Sequence, residues 1–176
     1  PGLKVAHLST HKSLIEAARY VTKDNISSKI ALIHNTLSAW GILAPKIAVA
    51  ALNPHGGEGG LLGREEIEEI GPAIMESRDE GYNVTGPIPS DSVFYRSIDG
   101  EFDVVLALYH DQGHIAIKVH NFHESITATL GIPFVRTSVD HGTAFDIAGT
   151  GKAKEEGLES AIRAANLIID GKLDQF

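Results

Sequence analysis

The sequence predicts an α/β fold, a sheet sandwiched by helical layers. Three observations carry that expectation. Short strand-like apolar runs alternate with stretches of helical periodicity. No repeat, low-complexity tract or linker breaks residues 1–176, so the chain reads as a single α/β unit. Its 176 residues are 43% hydrophobic, enough for one domain core or for a large piece of a two-lobed protein.

The elements follow in order. Val5 to Ser9 reads as a strand, Leu14 to Val21 and Ile30 to Trp40 as helices, the second closed by Gly41, and Ile47 to Leu52 as a strand. Arg64 to Glu80 reads as an acidic amphipathic helix with Ile67, Ile70 and Ile74 inward and its glutamates solvated. Gly71-Pro72 either kinks it or starts a second helix. Asp103 to Tyr109 is a buried strand, and Ile126 to Leu130 and Phe134 to Ser138 are β-rich runs joined by Gly131-Ile132-Pro133. Lys154 to Ile169 forms the last helix, ending at Gly171.

Composition excludes several classes of function. The net charge is -8 and no Lys/Arg run forms a phosphate-tracking stripe, so nucleic acid is not an expected partner. With no cysteine there is neither a disulfide framework nor a thiolate metal site, which agrees with a reducing cytoplasm. The longest apolar stretches, Ile47 to Leu52 and Val104 to Leu108, are too short to span a bilayer, and no signal peptide is evident, so the expectation is a soluble protein with no membrane partner. The chain opens on Pro1-Gly2-Leu3 and runs straight into strand-like residues, as a fragment would.

Three of the nine histidines share a setting. His11, His55 and His110 each lie just past a predicted buried strand. In open α/β sheets that edge is where the loops diverge and ligands bind. Three imidazoles converging there, with positions left for water or substrate, describe a catalytic divalent metal site. A histidine after a strand is more often a hydrogen-bonded loop residue, and His7, His34, His114, His120, His123 and His141 compete for the role.

Other chemistry-bearing residues cluster nearby in sequence. The glycines of Gly56-Gly57-Glu58-Gly59-Gly60 permit positive φ and close backbone approach to a ligand, although no Walker lysine follows. Asp91 and Asp111 are placed to orient a ligating imidazole, bind metal or act as general base; Asx-turn and helix-cap roles stay open. Lys118 and Arg136 follow apolar residues, and Arg136 suits bidentate grip of a carboxylate or phosphate. Ser138 to Ala153 is small, kinked and polar, able to wrap a planar ring. No Gly-x-Gly-x-x-Gly follows a strand, so a Rossmann cofactor site is not supported.

Three strings, Leu52-Asn53-Pro54-His55-Gly56-Gly57-Glu58-Gly59-Gly60, Tyr109-His110-Asp111-Gln112-Gly113 and Arg136-Thr137-Ser138-Val139-Asp140-His141-Gly142-Thr143-Ala144, closely resemble the 4-hydroxythreonine-4-phosphate dehydrogenase family. The resemblance covers essentially the whole chain but only the C-terminal half of a family member. It implies an isocitrate/isopropylmalate dehydrogenase-like three-layer fold and a homodimer with a shared active site. It also implies NAD or NADP, and a divalent metal (zinc, magnesium, manganese or cobalt) held by His11, His55 and His110.

By the same resemblance the substrate contacts are Lys118, Thr127 and Arg136, and the catalytic groups are Lys118, Asp111 and Asp91. Cofactor contacts fall on His141, Gly142, Thr143, Ala144, Asp146 and Gly149. Thr127 stands where the pyridoxal-pathway enzymes carry an asparagine, so relatives that oxidise 4-phospho-D-threonate or 4-phospho-D-erythronate rank beside 4-hydroxythreonine 4-phosphate as models for the substrate. The implied chemistry is oxidation of a phosphorylated hydroxy acid, followed by decarboxylation. Two rival readings are a non-catalytic metal-binding or dimerisation fragment of such an enzyme and a metal-dependent hydrolase; the loop from His141 to Gly149 argues against the hydrolase.

Overall fold

A computed structural model describes residues 2–176. Among them the chain forms β1 (Val5–His7), α1 (Leu14–Tyr20), α2 (Lys23–Ala39), β2 (Ile47–Ala50), α3 (Gly71–Asp79), β3 (Val84–Ile88), α4 (Ser90–Ile98), β4 (Val104–Ala107), α5 (His110–His120), β5 (Ile126–Ala128), β6 (Thr137–Val139) and α6 (Glu156–Ile169).

Four strands form a parallel sheet in the order β1-β4-β2-β3. The two inner strands, β4 and β2, are buried throughout, as a sheet covered on both faces requires. Alternate side chains go to opposite faces. Ile47, Val49, Val104 and Leu106 join a core with Ile26, Ile30 and Ile33 of α2 and Ile74 of α3. Ala48, Ala50 and Val105 meet Val93 of α4 and Phe102 on the other side. The α2 residues recur every three or four positions, one helical stripe, and each buried isoleucine contributes about 1.5–3 kcal/mol. Helix α5 shares the α4 face: a Cβ on Gly113 would stand 2.3 Å from His7 Nε2 of β1 and 2.8 Å from Val5. The molecule therefore has three layers.

β5 and β6 form a separate antiparallel hairpin, with Thr127 opposite Ser138. It packs on α6, where the Thr137 hydroxyl donates to the Ala161 carbonyl at 2.9 Å. No helix among the described residues is long and apolar enough to cross a membrane.

Several expectations are corrected. α2 begins at Lys23, seven residues before the predicted start, because Thr22 caps it: its Oγ1 accepts from the Asn25 N–H at 3.4 Å. The acidic segment does not run as one regular helix. A wide turn, Glu66–Ile70, leads into α3 at Gly71, where Pro72 lacks the N–H that a regular helix would use. That change of winding leaves Ile67 47% exposed while Ile70 and Ile74 are buried, and it turns Glu66 inward to 5% exposure, so the solvated reading fails for that glutamate.

The segment around Asp91, which the sequence assigns to no element, is an edge strand followed by a helix. β3 tolerates Pro87 because it pairs only with β2, and Asp91 lies in the first turn of α4. His110 does not merely follow its strand; it begins α5. His120 ends that helix and His123 lies beyond it, so their spacing is not helical.

Candidate active site

The sheet order places the predicted ligand loops together. His11, His55 and His110 follow β1, β2 and β4, three adjacent strands whose axes lie about 4.8 Å apart. One side chain ties these strand ends. Buried Gln112 accepts from the Leu108 N–H at 2.6 Å and donates to the Ala51 carbonyl and to Ser90 Oγ, both at 2.8 Å. It joins the end of β4 to the end of β2 and to the start of α4.

The His55 loop has an unusual backbone. Residues 55 to 59 all lie in the left-handed region, from His55 at φ 53 to Gly59 at φ 66, with Glu58 at φ 46. Glycines adopt it freely, but His55 and Glu58 each meet a cost of about 1–2 kcal/mol. Backbone strain of this kind concentrates at functional sites, where the surrounding structure over-determines it. Here the restraint is Glu66. Its Oε1 accepts from the Leu52 and Asn53 N–H groups at 2.8 and 2.7 Å, and its Oε2 from Asn53 Nδ2 at 2.9 Å. Gly57 sits against this carboxylate, where a Cβ would come within 2.8 Å of Oε2.

α5 carries the densest chemistry. His110, His114 and Lys118 recur at four-residue spacing and share one helix face. The His114 ring stacks on His7, with centroids 4.5 Å apart, and lies 4.2 Å from the His110 ring. Lys118 Nζ donates to the Asp140 carbonyl at 2.7 Å and lies 3.2 Å from Asp140 Oδ2. Thr127 Oγ1 donates to Asp140 Oδ1 at 3.3 Å, and Ser125 Oγ to Oδ2 at 3.4 Å. A cavity of about 790 Å³ opens between β1, α2, α5 and the hairpin, lined by His7, His11, His110, His114, Thr127 and Asp140.

Electrostatics follow from burial. The His7 pKa is pushed down to about 4, chiefly by desolvation and then by His114 and His110. Burial also lowers that of His114, against the opposing pull of Asp140. Both rings are thus neutral at neutral pH, and the 3.7 Å approach of His114 Nδ1 to Asp140 Oδ1 is too long for a hydrogen bond. His7 Nε2 and His114 Nδ1 are buried without a partner among the described residues. In contrast, His55 is exposed and its pKa is raised, first by the hydrogen bond to Glu58 at 2.6 Å.

Not every predicted site residue reaches the cavity. His11, His110, Thr127, His141 and Gly142 line it, and Lys118 reaches its wall through Asp140. His55 does not line it. Asp91 and Asp111 line a separate groove between α4 and α5, although Asp111 Oδ1 also holds His110 Nδ1 at 2.6 Å. Arg136 is exposed on the hairpin and donates to Thr129 Oγ1 at 3.0 Å. Thr143, Ala144, Asp146 and Gly149 sit on an exposed loop, with Ala144 at φ 49.

The imidazole donors are chemically apt for a metal, since His55 and His110 each place Nδ1 on a carboxylate, which leaves Nε2 as the ring nitrogen to serve as ligand. Within one chain, however, the described residues bring no three His, Asp or Glu side chains together as a metal-holding group.

Comparison with known proteins is decisive on kinship. The family model for "Pyridoxal phosphate biosynthetic protein PdxA" matches residues 1–165. The chain belongs to the PdxA family. PdxA relatives include the D-threonate 4-phosphate dehydrogenase of Salmonella typhimurium, 46% identical over 163 residues, covering 93% of this chain and 50% of the relative. That of Cupriavidus necator is 48% identical over 164 residues, covering 93% and 49%. The crystal structure of a 4-hydroxythreonine-4-phosphate dehydrogenase from Klebsiella pneumoniae superposes with a TM-score of 0.86 at 47% identity, over 94% of this chain and 50% of the other. The chain thus spans about half the length of the PdxA relatives it matches.

Sequence reasoning assigned no role to three residues of this candidate site: Gln112 and Glu66 position loops, and Asp140 stands in the cavity wall beside His114, which the sequence offered only as a rival metal ligand. The four-residue spacing of His110, His114 and Lys118 was a usable signal, but it has meaning only once α5 is recognised as a helix.

Proposed function

We propose that the whole protein carrying this chain is an NAD- or NADP-dependent dehydrogenase of a small 4-phosphorylated hydroxy acid. 4-Phospho-D-threonate is the first substrate to consider, with 4-phospho-D-erythronate and 4-hydroxythreonine 4-phosphate beside it. The carrying observation is convergence: His110 of α5, Thr127 of β5 and the His141-Gly142 turn line one cavity, and Lys118 reaches its wall through Asp140, on a chain whose relatives are named as dehydrogenases of such substrates.

In this reading the chain is the C-terminal half of a two-lobed enzyme of isocitrate/isopropylmalate dehydrogenase architecture, acting as a cytoplasmic homodimer with a shared active site. Lys118 and Thr127 bind and orient the substrate, and Arg136 supplies a planar fork for a carboxylate or phosphate. Asp111, Asp91 and Lys118 are the candidate proton carriers. The exposed turn from His141 to Gly149 has open space at Gly142 and Gly149, which suits a cofactor ring laid against backbone. A nicotinamide held against the His141–Gly149 turn would supply the hydride acceptor for the carbinol carbon, with the hydroxyl proton taken by one of those carriers, and the resulting keto acid would be primed for decarboxylation. The divalent metal stays with the homodimer reading, because the imidazoles of one chain do not close around an ion.

The test is the absorbance of reduced nicotinamide when the whole protein meets each of the three substrates with divalent metal. Reduction by one of them is the expected result. A protein that binds metal yet reduces cofactor with none would leave only a metal-binding or dimerisation role.

A further inference from the structure

Two of the side chains read as substrate contacts, Thr127 of the cavity wall and Lys118 of α5, both meet a carboxylate that the proposed reaction does not use. Asp140 follows β6 directly, and its side chain is only 9% exposed. Its contacts come from two elements, α5 and β5. From α5, Lys118 Nζ reaches its carbonyl at 2.7 Å and its Oδ2 at 3.2 Å. β5 and the residue before it contribute the Thr127 and Ser125 hydroxyls. The His114 ring of α5 stands beside Oδ1 at 3.7 Å.

A carboxylate so enclosed is costly without a cation, and Lys118 is the only lysine or arginine within ion-pair distance of it among the described residues. An ammonium has three N–H donors; one of Lys118's goes to the Asp140 carbonyl, and the ammonium lies 3.2 Å from Oδ2, within ion-pair distance. The flexible lysine stem, which otherwise samples many rotamers, is thereby held with donors left for a ligand, and the same carboxylate accepts from the Thr127 and Ser125 hydroxyls.

We propose that Asp140 is the positioning residue of this site, acting through Lys118: its carboxylate holds the ammonium in place for substrate, and it locks α5 to the β5–β6 hairpin. The substrate role rests on the proposed function; the tie between the two side chains does not.

The test uses Asp140→Asn, Asp140→Ala, Lys118→Ala and the Asp140→Asn/Lys118→Ala double variant of the whole protein. Asp140→Asn is of the same size and serves if Asp140→Ala fails to fold. Asp140→Asn is expected to lower kcat/KM by about 10- to 100-fold, the range seen for residues that orient a ligating or binding group. The double variant should fall within about threefold of Lys118→Ala alone, because the proposal routes the chief effect of Asp140 on the reaction through the lysine. Losses that multiply would overturn the proposal.

A second readout does not depend on turnover: the rate of reductive methylation of Lys118, read by peptide mass against exposed Lys152. Asp140→Asn should raise the Lys118 rate severalfold while leaving Lys152 unchanged. An unchanged Lys118 rate would overturn the tie. If the wild-type protein reduces cofactor with none of the substrates, the proposed function falls, and the methylation rate alone decides the role of Asp140.

Discussion

Replacing Glu66 by alanine tests whether a buried carboxylate holds the His55 loop in its left-handed shape. Glu66 is 5% exposed and accepts three hydrogen bonds from the Leu52–Asn53 segment at 2.7 to 2.9 Å. Hydrogen bonds to a charged acceptor are worth about 1.5–3 kcal/mol each, but removing the carboxylate also relieves its desolvation cost. Two backbone N–H groups lose their partner, at about 1–3 kcal/mol each where water cannot reach them. The net loss expected is about 3–5 kcal/mol, the range for breaking a buried charged interaction from one side.

His55 and Glu58 would also be free to leave positive φ, relieving about 1–2 kcal/mol each, so the loop should become mobile before the fold fails. Urea unfolding gives the first quantity, and hydrogen exchange at Leu62, whose N–H bonds to the Gly57 carbonyl at 3.0 Å, reads the second. A loss under about 1 kcal/mol with unchanged Leu62 protection would refute the argument, since surface substitutions routinely fall below that.

Further outcomes follow from the same geometry. Gly57→Ala places a Cβ 2.8 Å from Glu66 Oε2 at φ +79, so it should destabilise by about 2 kcal/mol or more; a neutral effect in urea unfolding would show that the loop has slack. His7 is neutral when folded, with its pKa near 4 against 6.5 unperturbed. A depressed folded value means its contribution is fully present above pH 6.5 and is lost as pH falls toward about 4, a swing of at most about 3 kcal/mol that partial solvent contact reduces. His7→Leu should flatten the stability profile in that window, and identical profiles for the two proteins would contradict the burial argument. Under the proposed function, Arg136→Lys in the whole protein should raise KM for the proposed phosphorylated hydroxy acid by about 10-fold or more, because a point charge cannot reproduce a bidentate fork; unchanged KM counts against Arg136 as a substrate contact.

Much of this molecule is legible in its sequence. Alternating apolar runs announced an α/β sheet, and the buried strands at Ile47 and Val104 stand where their hydrophobicity placed them. β3 escaped notice because Gly86 and Pro87 disguise an edge strand, and α5 because histidines and a glycine interrupt its apolar pattern. Ile67 was misplaced because regular helical phase does not survive the wide turn at Glu66–Ile70.

By itself the sequence determined the fold class, the family, and the residue types available for chemistry, because periodicity and local strings depend on neighbours along the chain. Only the tertiary structure decided that β4 inserts between β1 and β2, that Gln112 ties two strand ends, and that Lys118 and Thr127 share Asp140. Strand order and the pairing of distant side chains depend on which buried surfaces fit one another. The same is true of His55, whose strand neighbours that of His110 while its side chain stays outside the cavity that His110 lines.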